Sequence, residues 1–534
     1  MSRFASARPV VFDFPGAASV LPSLHRPRSL PRSFRVPYSI ATPTRGPPRR
    51  EFSIMAHPPS EFFEYTSGRW IFNDGLRHAE CRRVFKVDEL CRLAAEAVNR
   101  SPDAIMHMEK LAEGGFNRTF LITMRCGFQT VARIPYPATI PKYFAVASEV
   151  ATMAFLRSSG LPPPEVYGYS PTPNNAAGTE YIFMEFVQGT NLSDIWFGLG
   201  EGEIISISHQ LAELESGITL ENKSFCVGPD TSLRLWYGRR SQLDADRGPY
   251  ESAEAALLRG AEKELAYLRR FGRPLLPFQR IRREAYKYQE QPAVRSHREP
   301  RPLSSHRALT HPQEPGPQSP DSNLHIVGLI DWQHTSILPL FLLTGIPQQL
   351  QNYDDIGSQS MTRPSLPEKL DDLDETHQSE EVELYRRRLV HYHYVKSTEE
   401  YNELHYAGLT DPMGMLRHRL FSHASDPWEG ETLELKDCAD TSNRECPVVF
   451  DPDDVRETMK LGAEQREADE CLEVCRVVIG SGPEGWMPAE HYGEAMALSK
   501  KLKENGLAAA ESEEERAQIA AHWLLDDMDE EEYM

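Results

Sequence analysis

Two adjacent glycines and a cation on the run that follows them could together hold phosphate groups. Gly114, Gly115, Phe116 and Asn117 stand between two runs of β-like alternation. Glycine carries no side chain, so backbone amides at this turn could approach a phosphate closely. Arg133 follows on the next run, 19 residues after Gly114, and its guanidinium could pair with the same negative charge. A glycine pair at such a position could also be only a hairpin turn.

Two carboxylates further along the chain could complete this site. Glu149 lies in the helical pattern over 143–158 and could form an ion pair with Arg133. Asp331 ends the apolar run His325–Ile330, where a buried acid is costly unless a cation pairs with it. Mg²⁺ prefers hard oxygen ligands and is the candidate cation for Asp331. Each of these charges alone is typical of a protein surface.

The order of these features is typical of a kinase-like fold. In such folds a glycine loop covers the nucleotide phosphates, a strand cation pairs with a helix carboxylate, and an aspartate holds Mg²⁺. Met184, Glu185 and Val187 belong to a short apolar run that resembles the hinge between two lobes, where backbone groups bind adenine. Arg133 stands where Lys is usual, and its planar fork changes the pairing geometry.

Segments in this order resemble the fungal altered inheritance of mitochondria protein 9 family, a branch of the aminoglycoside phosphotransferase superfamily. The segments are Glu-Gly-Gly-Phe-Asn (113–117), Val-Ala-Arg-Ile-Pro (131–135), Ser-Glu-Val-Ala-Thr-Met (148–153), Ile-Phe-Met-Glu-Phe (182–186) and Gly-Leu-Ile-Asp-Trp-Gln (328–333). The resemblance implies a two-lobed, protein-kinase-like α+β fold with ATP and Mg²⁺ as cofactors. It also implies phosphotransfer to a small hydroxyl metabolite and a role in mitochondrial inheritance or maintenance, but it names no substrate.

The chain departs from the superfamily pattern at the expected catalytic loop. Members of the superfamily carry His-Pro-Asp or His-Gly-Asp, followed five residues after the Asp by Asn; the Asp serves as base and the Asn helps to hold Mg²⁺. Here the loop begins at His311, and Gln313 occupies the position of the base. Gln318 stands in place of the Asn as a weak, neutral metal ligand, and Glu314 is the nearest acid that could substitute for the base.

Three interpretations of this loop stay open. The protein could be a pseudokinase, a nucleotide- or partner-binding module that transfers nothing. It could be a weak phosphotransferase that uses Glu314. The third interpretation is an error in the gene structure, because the proline-rich composition is confined to residues 289–322.

The overall composition excludes some partners. The net charge of the 534-residue chain is −21 at pH 7, which argues against nucleic acid, because phosphate binding needs clustered Lys and Arg. No apolar run approaches the roughly 18 residues of a membrane span. The 8 cysteines form no CxxC pair and are typical of small buried residues.

The first fifty residues differ from the rest of the chain. They contain nine arginines and a single acid, Asp13. Arg-rich, acid-poor N-termini with interleaved serines are typical of mitochondrial transit peptides, so the sequence predicts a mitochondrial location. A disordered basic tail is the alternative.

The elements that must position the site follow from hydrophobic periodicity. Helices are expected over 87–99, 143–158 and 252–270, with a buried strand over 181–187 and a hairpin that turns near 125–127. The predicted organisation is a transit or disordered segment (1–58), an N-terminal extension with a helix (59–100), a small β-rich lobe (101–188), a larger helical lobe with an irregular insert at 289–322 (189–500) and an acidic helical tail (501–534).

Overall fold

The structure is a computed structural model, and it describes part of the chain. The described residues are 8–13, 58–216, 225–236, 238–271, 324–347, 350–353, 355–367, 370, 374–411, 414–425, 451, 453, 456, 459–460, 474, 476–482, 485–521, 523 and 525–527. The predicted insert 289–322 lies outside them, and so do Gln313, Glu314 and Gln318.

Strands dominate the first part of the described chain and helices the second. Strands β1 to β10 are Arg8–Asp13, Gly68–Trp70, Ile105–Glu113, Asn117–Met124, Gln129–Pro135, Val166–Ser170, Tyr181–Glu185, Thr190–Asn191, Leu324–Ile330 and Trp486–Pro488. Helices α1 to α7 are Asp74–Cys81, Val87–Ala97, Lys142–Ser158, Leu192–Ile195, Glu201–Ser216, Leu233–Trp236 and Ala253–Phe271. Further helices are Leu340–Leu343, Ile356–Gln359, Glu375–Tyr401, Glu403–Leu409, Gly414–Ser425, Tyr492–Ala509 and Glu513–Ala521.

The small lobe is built on a five-stranded antiparallel sheet with the order β3-β4-β5-β7-β6. Alternate side chains of β4, namely Phe120, Ile122 and Met124, are fully buried, as the two-residue period of a strand requires. They share a core with Leu90 of α2. This helix therefore covers one face of the sheet.

The larger lobe is helical, and its core continues into the small lobe. Ile204 and Leu211 of α5 pack with Leu389 and Tyr394 of the long helix Glu375–Tyr401. Met184 at the end of β7 belongs to the same core. The predicted α+β fold class, with a small β-rich lobe and a larger helical one, is confirmed. No described helix has the length and hydropathy that a membrane crossing requires.

A second, parallel sheet is formed by three further strands. Its strand order is β8-β1-β9, and β1 pairs with β9 from Arg8 opposite Leu324 to Asp13 opposite Ile330. Residues 8–13, inside the predicted transit or disordered segment, thus form a strand. The short run Val-Val-Phe has the β-branched and aromatic composition that favours a strand.

The N-terminal extension is joined to the C-terminal part of the chain. Strand β2 pairs with β10 in an antiparallel ladder that sets Trp70 opposite Trp486. Ile71 and Phe72 share a buried cluster with Met487 and Ala495. The predicted limit of the acidic tail, between residues 500 and 501, falls inside the helix Tyr492–Ala509.

The individual elements follow the hydrophobic pattern closely. The predicted helices are found as α2, α3 and α7, and the predicted buried strands as β7 and β9. The hairpin turns where expected: the Gly127 amide donates to the Met124 carbonyl at 2.8 Å, and the φ of Gly127 is +82°, a value that suits glycine.

Candidate active site

The glycine turn connects β3 and β4 and is open on its outer side. The Gly114 amide donates to the Asn117 carbonyl at 2.9 Å and closes the turn. A Cβ added at Gly115 would meet nothing within 4 Å, and one added at Gly114 would meet only the Asn117 carbonyl oxygen, at 3.8 Å. These glycines therefore are not required by close packing of the chain on itself, and the space beside them could admit a ligand.

A buried carboxylate anchors the turn from behind. One oxygen of Glu113 accepts from the backbone amides of Thr66 and Ser67, each at 2.9 Å, and the other accepts from Arg118 Nε at 2.8 Å. Burial alone would raise the pKa of Glu113, but these hydrogen bonds outweigh it and lower the pKa to about 2. The N-terminal extension thus fixes the position at which the glycine turn begins.

Alternation along β5 places Arg133 opposite Glu149. Ala132 and Ile134 belong to the core beneath α2, whereas Val131 packs in the core that contains α3. Because alternate side chains of a strand share a face, Arg133 lies on the same face as Val131. Its Nη1 forms an ion pair with Oε1 of Glu149, which is only 3% exposed.

The other end of the same guanidinium reaches the end of β9. Arg133 Nη2 donates to Oδ1 of Asp331 at 2.6 Å and to Oε1 of Gln333 at 3.2 Å. Asn117 also lies against this group: its Nδ2 donates to the Gln333 oxygen at 2.5 Å, or, with the amide turned, its oxygen accepts from Arg133 Nη2 at 2.8 Å. One cation therefore links the small lobe to the segment that follows β9.

The environment of Glu149 disfavours its charged form. Burial is the largest cause and raises its pKa; the Arg133 guanidinium opposes this effect, and the Asp331 carboxylate adds to it. The net result raises the pKa of Glu149 to about 7.

The segment after β9 turns sharply because two of its residues have left-handed backbone conformations. The φ angles are +65° at Asp331 and +61° at His334, values that are uncommon outside glycine but enriched for Asp and His. Trp332 is buried between them, and its indole Nε1 donates to the Leu329 carbonyl at 2.9 Å. The turn leaves the Asp331 side chain 41% exposed.

His334 closes the cleft against the glycine turn. Its ring meets the Phe116 ring edge-on, with centroids 5.1 Å apart. His334 Nδ1 lies 3.0 Å from the Thr231 carbonyl and so carries the proton that it donates. Burial lowers the His334 pKa, and Nε2 has no hydrogen-bond partner among the residues that the structure describes.

The predicted hinge lies where β7 leaves the sheet. The Met184 carbonyl accepts from Thr130 Oγ1 at 2.8 Å, and the Glu185 amide donates to the carbonyl of Glu165, the residue before β6, at 2.8 Å. Val187 packs on β9 at a point where only glycine fits, because a Cβ added at Gly328 would lie 2.7 Å from Val187 Cγ1. The hinge is thus held directly against the strand that ends in Asp331.

The structure brings together the predicted residues of both lobes. Ion pairs join Arg133 to Glu149 and to Asp331, and the Phe116 ring of the glycine turn contacts the His334 ring. The sequence analysis did not single out Gln333 or His334 as site residues. Gln333 ends the segment 328–333 that carries the family resemblance, and the only sequence signal of His334 is that it follows this segment.

ATP and Mg²⁺ are the ligands that the sequence resemblance implies, and the described residues suit them unequally. Arg133 and the open glycine turn offer positive charge and backbone amides to phosphate groups. The described residues include no group of three or more His, Cys, Asp or Glu side chains that could hold a metal ion. Asp331 Oδ1 is already bonded to Arg133. Among the described residues, the donors therefore fit the phosphates of a nucleotide, and the one carboxylate predicted to hold a divalent cation is paired with Arg133.

Comparisons with known proteins place the chain among fungal sequences. A subtelomeric hrmA-associated cluster protein of Aspergillus fumigatus is 28% identical over 480 residues, which cover 76% of this chain and 93% of that protein. Altered inheritance of mitochondria protein 9, mitochondrial, of Lodderomyces elongisporus is 25% identical over 234 residues, 36% of each chain. The corresponding protein of Yarrowia lipolytica is 25% identical over 248 residues, 36% of this chain and 42% of that one.

Other comparisons add little. No family model matches the chain. A crystal structure from Ralstonia eutropha that bears the name of an aminoglycoside phosphotransferase is 16% identical; it covers 63% of this chain and 89% of its own, with a TM-score of 0.29. The resemblance expected from the motifs is therefore confirmed as sequence similarity to altered inheritance of mitochondria protein 9.

Proposed function

We propose that the cleft between the two lobes binds a nucleoside triphosphate, with the phosphates against the glycine turn and Arg133. The observation that carries this proposal is the position of one guanidinium, which a buried glutamate holds at one end and which faces the carboxylate of Asp331 at the other. A cation fixed in advance loses little side-chain entropy when it binds phosphate, and a partly buried site strengthens the attraction.

Phosphotransfer to a small hydroxyl metabolite is the activity proposed for this site. The names of the relatives support a protein connected with mitochondrial inheritance. The residues expected to supply a base, Gln313 or Glu314, lie outside the described part of the chain. A glutamine cannot accept the proton of a hydroxyl group, so the alternative is a pseudokinase that binds nucleotide or a partner and transfers nothing.

Calorimetric titration of the full chain with ATP tests the nucleotide site. Arg133→Ala should weaken binding at least about tenfold, which is roughly 1.4 kcal/mol. Arg92→Ala is the matched control, because Arg92 forms its ion pairs with Glu89 and Glu96 of the same helix, away from the candidate site. If the wild-type chain does not bind ATP, or if the two variants bind it equally well, the proposal is wrong.

Release of phosphate from ATP separates the enzyme from the binding module. If Glu314→Ala abolishes turnover, the base is assigned to Glu314. If turnover survives Glu314→Ala and is lost in Asp331→Ala, Glu314 is excluded as the base. Binding without any turnover would support the module.

We propose a mitochondrial location for the same protein. Relatives from several yeasts are named mitochondrial, and the Arg-rich N-terminus is independent support. Cleavage after residue 50 would remove β1 from between β8 and β9. A reporter fused to residues 1–58 should enter mitochondria, and a reporter that stays in the cytosol would contradict this assignment.

A further inference from the structure

The positive charge that pairs with Asp331 is the guanidinium of Arg133. Arg133 Nη2 lies 2.6 Å from Asp331 Oδ1, which is the length of a strong, charge-assisted hydrogen bond. The same guanidinium pairs with Glu149 at its other end. Arginine can do this because its planar group carries five donors in a fixed geometry, whereas lysine presents a single point charge.

The charges around Asp331 are already close to balance. Arg133 contributes one positive charge, and Asp331 contributes one negative charge. Glu149 is buried, and its raised pKa reduces the negative charge that it adds. Among the described residues, Gln333 and Asn117 add neutral amides to this group. A divalent cation at Asp331 would meet a carboxylate that Arg133 already pairs with at 2.6 Å, and it would have to take its other ligands from phosphate and water.

We propose that Arg133 takes the place of the divalent cation at Asp331, so that this cleft binds a nucleoside triphosphate without Mg²⁺. The inference rests on the nucleotide site proposed above and adds how its charge is balanced. In the free protein Asp331 occupies the guanidinium; in the complex the phosphates compete with Asp331 for the same donors. Glu149 keeps the guanidinium in place throughout.

Two contacts join the segment after β9 to the glycine turn. Gln333 binds the Asn117 side chain, and the His334 ring packs on Phe116. Together with the Arg133–Asp331 pair, they join the two lobes across the cleft. Because the guanidinium carries five donors, a bound triphosphate can share it with Asp331, and the carboxylate then keeps its cation without a metal.

The decisive measurement is ATP binding to the wild-type full chain, by calorimetry, in excess EDTA and in excess MgCl₂. We expect the two dissociation constants to agree within about threefold, less than 1 kcal/mol. Binding at least about tenfold weaker in EDTA would overturn the inference and leave the nucleotide site standing. No binding under either condition would overturn the nucleotide site itself.

Substitution of Asp331 gives a second test, because a metal-free site and a metal-dependent site predict different changes in ATP affinity. Asp331→Asn removes the carboxylate that competes with phosphate for Arg133, so binding in EDTA should become tighter, by about threefold or more. In a metal-dependent site the same change would weaken binding in MgCl₂ and would not tighten it in EDTA. That result would contradict the inference.

Arg133→Lys completes the set. One ammonium group cannot span the carboxylates of Glu149 and Asp331, so Asp331 should become available to a cation. We expect ATP binding by this variant to be about tenfold weaker in EDTA than in MgCl₂. Equal affinities in the two solutions would show that the bridge made by Arg133 does not decide the need for metal. Circular dichroism confirms that each variant is folded.

Discussion

At the scale of single residues, the site depends on a glutamate that is poorly placed for a charge. Glu149 is almost fully buried on α3, and its ion-pair partner is a guanidinium that it shares with Asp331. Desolvation of the carboxylate costs more than one shared cation returns. The ion pair with Glu149 holds Arg133 in position for a ligand, and the buried carboxylate makes this arrangement costly.

This cost gives a pH dependence with a definite sign. The pKa of Glu149 is raised from 4.5 to about 7 in the folded chain, so the folded state binds the proton more tightly than the unfolded state does. The contribution of Glu149 to stability is therefore full below pH 4.5 and is lost as the pH rises towards 7. Relative to Glu149→Gln, which cannot ionise, the wild-type protein should lose free energy of unfolding over this range.

Urea unfolding of both proteins at a series of pH values measures the difference. Glu96→Gln is the control, because Glu96 is exposed on α2 and forms an ion pair with Arg92 of the same helix. A wild-type minus Glu149→Gln difference that stays constant between pH 4.5 and 7 would show that Glu149 is ionised throughout and that the assignment is wrong.

Residue types and order were enough to predict the charged part of the site. Arg133, Glu149 and Asp331 each stand at a characteristic place on a strand or helix that the hydrophobic period locates. The contacts of Asn117 with Gln333 and of Phe116 with His334 could not be predicted. They depend on how the glycine turn packs against a segment more than 200 residues later in the chain. Hydrophobic periodicity is a local pattern and does not predict contacts between such distant segments.

At the scale of elements, the glycine turn is positioned by a strand end and not by its own residues. Glu113 ends β3, and its side chain is fully buried against Arg118 and the 66–67 backbone. Removal of the carboxylate leaves Arg118, which is 1% exposed, without its main counter-charge. A buried charge deprived of its partner is strongly destabilising.

Glu113→Ala should therefore lower the free energy of unfolding by about 3 kcal/mol. Glu109→Ala is the matched control, because Glu109 lies on the same strand with its side chain 53% exposed, and its loss should cost less than about 0.5 kcal/mol. Urea unfolding at neutral pH provides the measurement. If the two variants were equally stable, the carboxylate of Glu113 would not anchor the turn.

The same glutamate should also affect acid stability. Its lowered pKa means that its contribution is present above pH 4.5 and is lost as the pH falls towards 2. The sequence predicted the hairpin itself from alternation and glycine, but not this anchor. Thr66 and Ser67 precede Glu113 by more than 45 residues, and no local pattern links them to it.

At the scale of the whole molecule, the N-terminal extension pairs with the C-terminal part of the described chain. Strand β2 pairs with β10, and Tyr65 accepts a hydrogen bond from Trp486 Nε1 at 3.1 Å. The loop that binds Glu113 directly precedes β2. The C-terminal part of the chain therefore supports the extension that fixes the glycine turn, an arrangement that no periodicity predicts.

Gly68 is the point at which this junction allows no side chain. A Cβ added there would lie 2.3 Å from Trp486 Nε1 and 2.6 Å from the Met487 carbonyl oxygen, and a backbone atom cannot move aside cheaply. Gly68→Ala should lower the free energy of unfolding by about 1–3 kcal/mol through overpacking. Gly75→Ala, in helix α1 with nothing within 4 Å of the added carbon, should instead be neutral or stabilising by up to about 1 kcal/mol. Thermal and urea unfolding compare the two variants with the wild type; equal behaviour of the two alanine variants would mean that β2 and β10 do not pack as described.

Because the junction supports the Glu113 anchor, Gly68→Ala should also weaken ATP binding, whereas Gly75→Ala should leave it unchanged.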